Sequence, residues 1–157
     1  MKNTQTLFLK SVILLIAMTV FAGMIWFPQT EGRATNLDLI SIYKDPLIIY
    51  SYIASIPFFV ALYNGFKLLT DIEKNKVFSQ HSVKALKNIK YCAMILIAFI
   101  FAGATYIRFT SQEDYAGVIA LAIFTTTAAI LVASVSEVFE RVLQNAVNTK
   151  SENDLTV

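Results

Sequence analysis

The chain has 157 residues, 56% of them hydrophobic and only 15% charged, with a net charge of +2 and a mean hydropathy of +0.59. A soluble domain carries about 25% charged residues and, at this size, too little interior to hide so much apolar surface, so composition points to one domain in a lipid solvent. A single cysteine, Cys92, excludes an internal disulfide, a single histidine, His81, excludes a His-pair metal site, and no basic stripe suits nucleic acid.

The first element is an apolar run over residues 7–27, preceded by Lys2 and Lys10. Its length is enough to cross a hydrocarbon core of about 30 Å as a helix. Lys2, Lys10 and the small-residue site Val20-Phe21-Ala22 also fit a signal peptide. Continuation of the run to Trp26 and Phe27, an aromatic pair suited to a membrane interface, favours a span. Residues 28–45 read as a polar loop ending in Asp45-Pro46, an N-cap followed by proline at the first helical position.

Residues 47–66 form the second predicted span. Pro57 lies inside it and should kink the helix by removing a backbone hydrogen bond, with Ser51 or Ser55 placed to satisfy the freed carbonyl. The helical period continues through Leu69 and Ile72 and breaks at Asn75-Lys76. Ser79 is a candidate N-cap for a new helix. Val83, Leu86, Ile89 and Ala93 make its apolar face, opposite Lys84, Lys87 and Asn88. Such a face is expected to pack at the headgroup level with lysines snorkelling, and it runs directly into the third span, residues 89–109.

Ser111 is placed to cap the fourth helix, with Glu113 and Asp114 in its first turn. Residues 116–135 form the fourth span, its period extends through Val147, and residues 149–157 read as a polar tail. Ala98, Ala102 and Gly103 with Ala122, Ala129 and Ala133 are small enough for close helix contact. Thr125, Thr126, Thr127, Ser134 and Ser136 are expected to bond to helix backbone or to a neighbouring helix.

If the start, the connection at residues 67–88 and the tail share one side, ten of the thirteen Lys and Arg residues lie there. The positive-inside rule then makes that side, and both termini, cytoplasmic. Trp26, Tyr50, Tyr106 and Tyr115 fall near the outer boundary, Tyr63 and Tyr91 near the inner one. The expected fold is an all-α, antiparallel four-transmembrane-helix bundle whose connection carries a cytoplasmic amphipathic helix. The second and fourth helices should project beyond the membrane to join it in a small platform.

Ile56-Pro57-Phe58-Phe59, Ala61-Leu62-Tyr63, Phe66-Lys67-Leu68-Leu69, Asn75-Lys76, Phe78-Ser79 and the run from Ser82 to Ala93, together with residues 150–157, resemble the bacterial family called domain of unknown function 2975. The resemblance implies a four-span inner-membrane protein. It also implies a gene often adjacent to a small helix-turn-helix regulator, and assigns no mechanism.

Six lysines crowd residues 64–93 against Asp71 and Glu73. Lys74, Lys76, Lys84 and Lys87 are candidates for docking a cytoplasmic protein. Anionic lipid, at about 1 kcal/mol per surface lysine, and a pure topology signal are the alternatives. Glu137 lies at about the depth of Lys67 and Lys90, counting ~20 residues per span, and is expected to pair with one of them. It sits too near the helix end for a proton pathway. His81 reads as a solvated cap-region residue and Cys92 as a small apolar packer. No nucleophile–base pair, phosphate loop or metal spacing appears, so neither an enzyme nor a cofactor is implied. The expected function is binding of a cytoplasmic partner, plausibly the regulator, through the lysine-rich connection. A small transport or toxin-immunity protein acting through its spans is the alternative. Membrane lipid is an expected contact, and oligomeric state stays open.

Overall fold

The computed structural model describes residues 2–30, 46–110 and 116–154, and side chains at 4–26, 46–109 and 116–153. The predicted loop at 28–45 beyond Thr30, the Asp45 and Ser111 caps, Tyr115 and the last three residues lie outside the described residues. Four helices account for almost everything else: α1 (Lys2–Thr30), α2 (Pro46–Glu73), α3 (Gln80–Thr110) and α4 (Ala116–Asp154). Each is long and apolar enough to cross a membrane, and the described residues contain no strand.

Helix is the required form here. In hydrocarbon a backbone must satisfy its own amides, and an open segment satisfies all of them only by coiling. At 1.5 Å per residue, α2, α3 and α4 are about 42, 46 and 58 Å long, well beyond the ~30 Å hydrocarbon thickness. The surplus carries the polar residues: Thr70–Glu73 on α2, Gln80–Asn88 on α3 and Glu137–Asp154 on α4.

The helices pack in chain order, α1 on α2, α2 on α3 and α3 on α4, and no other pair touches among the described residues. The bundle is therefore open between α1 and α4. As contacts climb α1 from Lys10 through Ile13 and Phe21 to Met24, they descend α2 from Glu73 through Gly65 and Phe59 to Tyr52. The α2–α3 contacts behave likewise, from Asp71 with His81, through Asn64 with Asn88, to Tyr50 with Phe99.

Two tyrosines on α2 tie it to both neighbours. Tyr52 donates from its hydroxyl to the Met24 carbonyl on α1 at 2.9 Å. That carbonyl lies four residues before Pro28, which lies within α1 and has no N–H to offer it. Tyr50 donates to the Phe99 carbonyl on α3 at 2.6 Å, with its ring edge-on to Phe99. A Cβ at Gly103 would meet the Tyr50 ring at 3.0 Å, so glycine is what admits the tyrosine. Gly103, expected among small residues for close helix contact, thus opens α3 toward α2. Tyr50, expected in the outer aromatic belt, is turned inward and half-buried, because its hydroxyl finds a carbonyl across the helix pair.

Helix α2 runs uninterrupted through Pro57. The serines do not serve the carbonyl of Ile53 that this proline frees. Ser51 donates to the Leu47 carbonyl and Ser55 to that of Tyr52, the near carbonyls on their own helix. Thr125, Thr127 and Ser134 likewise donate to the carbonyls of Leu121, Ile123 and Ile130.

Replacing Tyr52 with Phe should lower unfolding stability in detergent by about 1 kcal/mol, since it leaves the Met24 carbonyl unpaired. In a Pro28→Ala background the restored amide takes that carbonyl, so the same change should cost less. A double-mutant cycle followed by thermal unfolding measures the difference.

Candidate functional site

Every buried side chain among the described residues lies at the lysine-rich end: Thr6, Asn64, Ser82, Val83, Ala85, Leu86, Cys92, Ala93, Ser136 and Leu143. Toward the other end α3 buries nothing beyond Ala93, and α4 nothing before Ser136. The apolar centre is Val83 and Leu86 of α3 against Leu143 of α4, with Leu68, Val77 and Val147 packed around them. The face expected to meet headgroups is therefore covered by protein. Surplus lengths of α2 and α4 stand on either side of it, and burying it against them removes more apolar surface than resting it on a polar interface.

The connection between α2 and α3 is a compact turn built on two caps. At the end of α2, Asn75 adopts φ 55°, the left-handed region that asparagine tolerates better than other side-chain-bearing residues. Its N–H reaches the Ile72 carbonyl at 3.1 Å, and the Lys76 N–H reaches that of Asp71 at 2.8 Å. This is the Schellman pattern, which satisfies carbonyls left over at a helix end. At the start of α3, the Ser79 side chain accepts from the Ser82 N–H at 3.3 Å, as its sequence position predicts.

Asp71 joins the two caps. Its Oδ2 lies 2.7 Å from His81 Nδ1 and accepts from the fully buried Ser82 hydroxyl at 3.4 Å. That hydroxyl also lies 3.4 Å from the Lys76 carbonyl. His81, expected as a solvated cap-region residue, is exposed yet held by this carboxylate. Asn88 donates to the Asn64 side chain at 3.3 Å, and Asn64 donates to the Val60 carbonyl at 2.8 Å. Cys92 is buried with its thiol free, as a small apolar packer should be.

Ion pairs bind the outer helices to this centre. Lys10 of α1 pairs with Glu73 of α2, and its ammonium lies 5.2 Å from the centre of the Phe66 ring. Lys90 of α3 pairs with Glu140 of α4 at 2.7 Å. Glu137, expected opposite Lys67 or Lys90, instead pairs with Arg141 one turn along its own helix. Counting residues from a span boundary locates a side chain only to within a turn, and Glu137 and Glu140 are separated by just under one. Lys67 pairs with no carboxylate among the described residues.

Four lysines remain. Lys74 and Lys76 in the turn, and Lys84 and Lys87 on the outer face of α3, are exposed. None of the four pairs with a carboxylate among the described residues. Phe78, 60% exposed, lies in the same turn. Spacing revealed the lysines. The Asp71 hub and the Lys10–Glu73 and Asn64–Asn88 pairs went unpredicted; the one available signal was a pair of acids, Asp71 and Glu73, standing in an otherwise basic stretch.

Asn75→Val should destabilise the chain by about 1–2 kcal/mol, because a β-branched residue is strained in the left-handed region, whereas Asn75→Gly should be neutral or mildly stabilising. Chemical unfolding in micelles reads both. Glu140→Gln should lower the thermal midpoint more than Glu137→Gln. The first strands Lys90 between helices, while the second removes an exposed i,i+4 pair worth at most about 0.5 kcal/mol.

Residues 28–157 match the family model described as a protein of unknown function, DUF2975. The chain is 39% identical over 160 residues to the uncharacterized membrane protein YoaS of Bacillus subtilis (strain 168), and the match covers 100% of both chains. No solved structure matches the chain.

Proposed function

The chain belongs to the DUF2975 family, and on that footing we propose that this membrane protein is a non-enzymatic docking platform, binding an acidic surface of a cytoplasmic protein through Lys74, Lys76, Lys84 and Lys87. Its four spans run antiparallel in the inner membrane, with both termini and the amphipathic first turns of α3 in the cytoplasm. The partner is a small helix-turn-helix regulator of the kind the family resemblance implies, held at the membrane or released from it.

One observation carries this reading. Basic residues used to build this end are neutralised locally: Lys10 by Glu73, Lys90 by Glu140 and Arg141 by Glu137. The four proposed lysines are left exposed on a turn that two helix caps and Asp71 hold in place. A preorganised surface loses less conformational entropy on binding than a loose loop does. Exposed cations on it steer an acidic partner and raise its association rate. Action through the spans finds less support, because Ser51, Ser55, Thr125 and Thr127 donate to backbone carbonyls of their own helices rather than facing one another along a path.

The test uses the full-length protein in nanodiscs and a purified small helix-turn-helix regulator of the kind the family resemblance implies. Changing Lys84 and Lys87 together to Glu should weaken binding at least about tenfold, as expected for like charges placed against an acidic surface. Salt at about 1 M, where the screening length falls to about 3 Å, should weaken the wild-type complex similarly. A topology reporter checks that orientation is kept, since eight other basic residues still mark the same side. Binding indifferent to both salt and charge reversal would sink the docking reading.

A further inference from the structure

Helix α4 meets α3 loosely along the span, where the pair leaves an open apolar groove of about 350 Å³ beyond Ala93. It then continues well past the span. Val142 and Asn145 lie about 10 and 15 Å along the axis beyond Val135. This extension has three faces. The first packs Leu143 and Val147 into the core with Val83 and Leu86, and its Glu140 pairs with Lys90. The second is polar, with Glu137 bonded to Arg141 and Gln144 to Asn148. The third is apolar and bare: Val138, Phe139 and Val142 are each more than half exposed. It belongs to a longer stripe. Leu131, Val135, Val138, Val142, Asn145 and Thr149 follow one another at alternating steps of four and three residues, and all six are exposed.

We propose that this stripe is the seam of a parallel homodimer, with α4 of one copy packed along α4 of a second. Alternating steps of three and four give the 3.5-residue period of two helices wound about each other. Inside the span such a stripe says little, because lipid covers apolar residues at no cost. Past Glu137 it stays apolar where water competes, and a helix apolar on two faces there needs protein on both. Within its own chain α4 touches α3 alone, and α1 is out of contact, so the described residues supply no second cover. The stripe also crosses the membrane boundary unbroken, from Leu131 within the span to Thr149 beyond it. A soluble partner could follow only the outer part, whereas a second membrane-spanning α4 follows all of it. Every copy inserts the same way round, so the two helices run parallel about a two-fold axis along the membrane normal, and each seam residue meets its own counterpart. None of the six is acidic or basic, so no like charges oppose the pairing. Asn145 faces an amide that both donates and accepts, as it does itself. With Phe139 beside the seam, these side chains offer roughly 600 Å² per copy, or about 1,200 Å² in total, which reaches the lower edge of stable specific interfaces.

Two measurements on the full-length protein test the seam. In membranes, with Cys92→Ala as background, Val138→Cys, Val142→Cys and Asn145→Cys should each give an oxidised dimer, because seam positions bring like residues within disulfide reach. Glu137→Cys and Gln144→Cys, at similar heights on the polar face, should not. In neutral detergent, sedimentation should find wild type as a dimer. Val138→Glu with Val142→Glu should raise its dissociation constant at least about tenfold, since apolar burial is lost and like charges are opposed. Both residues are exposed in the single chain, so the variant should keep its helical circular dichroism. A monomeric wild type, the result expected if lipid or a different protein covers the face, overturns the proposal. So does a dimer that the double substitution leaves intact, or cross-linking as strong at residues 137 and 144 as along the seam.

Discussion

A backbone that crosses hydrocarbon must satisfy its own polar groups, and the rest of this structure depends on that constraint. It makes all four long elements helical and turns most span hydroxyls onto carbonyls of their own helix. At the Met24 carbonyl, where α1 fails to satisfy itself, a neighbour supplies the donor. Pro28 withdraws an amide from the Met24 carbonyl, and the Tyr52 hydroxyl from α2 takes its place at 2.9 Å. The same helix sends Tyr50 the other way, to a carbonyl beside Gly103 on α3. α2 is thereby held on both sides by bonds that are directional, in a solvent where apolar contact alone discriminates weakly between partners.

The two ends of the molecule are built differently. At the lysine-rich end water competes, so burial of Val83, Leu86 and Leu143 is driven by the hydrophobic effect. Ion pairs between successive helices then clamp that small core. At the other end lipid is the solvent and no hydrophobic force draws α3 and α4 together, which is why a groove with apolar walls persists between them. Although α1 and α4 are out of contact, at the clamped end all four helices are tied in sequence, α1 to α2 by Lys10–Glu73, α2 to α3 by Asp71–His81 and α3 to α4 by Lys90–Glu140. A capped, basic turn at that end and an open apolar groove at the other are consequences of the same change of solvent along the helices.

Much of this was legible in the residues. Four apolar runs of membrane-crossing length declare four helices, because length and hydropathy are local properties. Asn75-Lys76 and Ser79 mark the turn, because helix termination depends on backbone conformation and a few neighbouring residues. The alternation of Val83 and Leu86 with Lys84 and Lys87 assigns inside and outside on α3, because water at that end separates the two faces. The exposed lysines were therefore identifiable from spacing, while the carboxylate that organises the turn beneath them was not. Asp71 and Ser82 are eleven residues apart, and nothing local announces that a Schellman turn will fold one onto the other.

By itself, then, the sequence determined the number and extent of the helices, the position of the turn and the face of α3 that carries charge. Only the tertiary structure decided which acid Lys90 meets, that protein rather than headgroups covers Val83 and Leu86, that Tyr50 turns inward, and that a groove opens beyond Ala93. Those outcomes depend on rotation and depth of one helix against another. Inside hydrocarbon an apolar residue is equally at home against lipid and against protein, so the sequence carries little periodic signal for rotation there. A shift of one turn, about 5.4 Å along the axis, is enough to exchange Glu137 for Glu140.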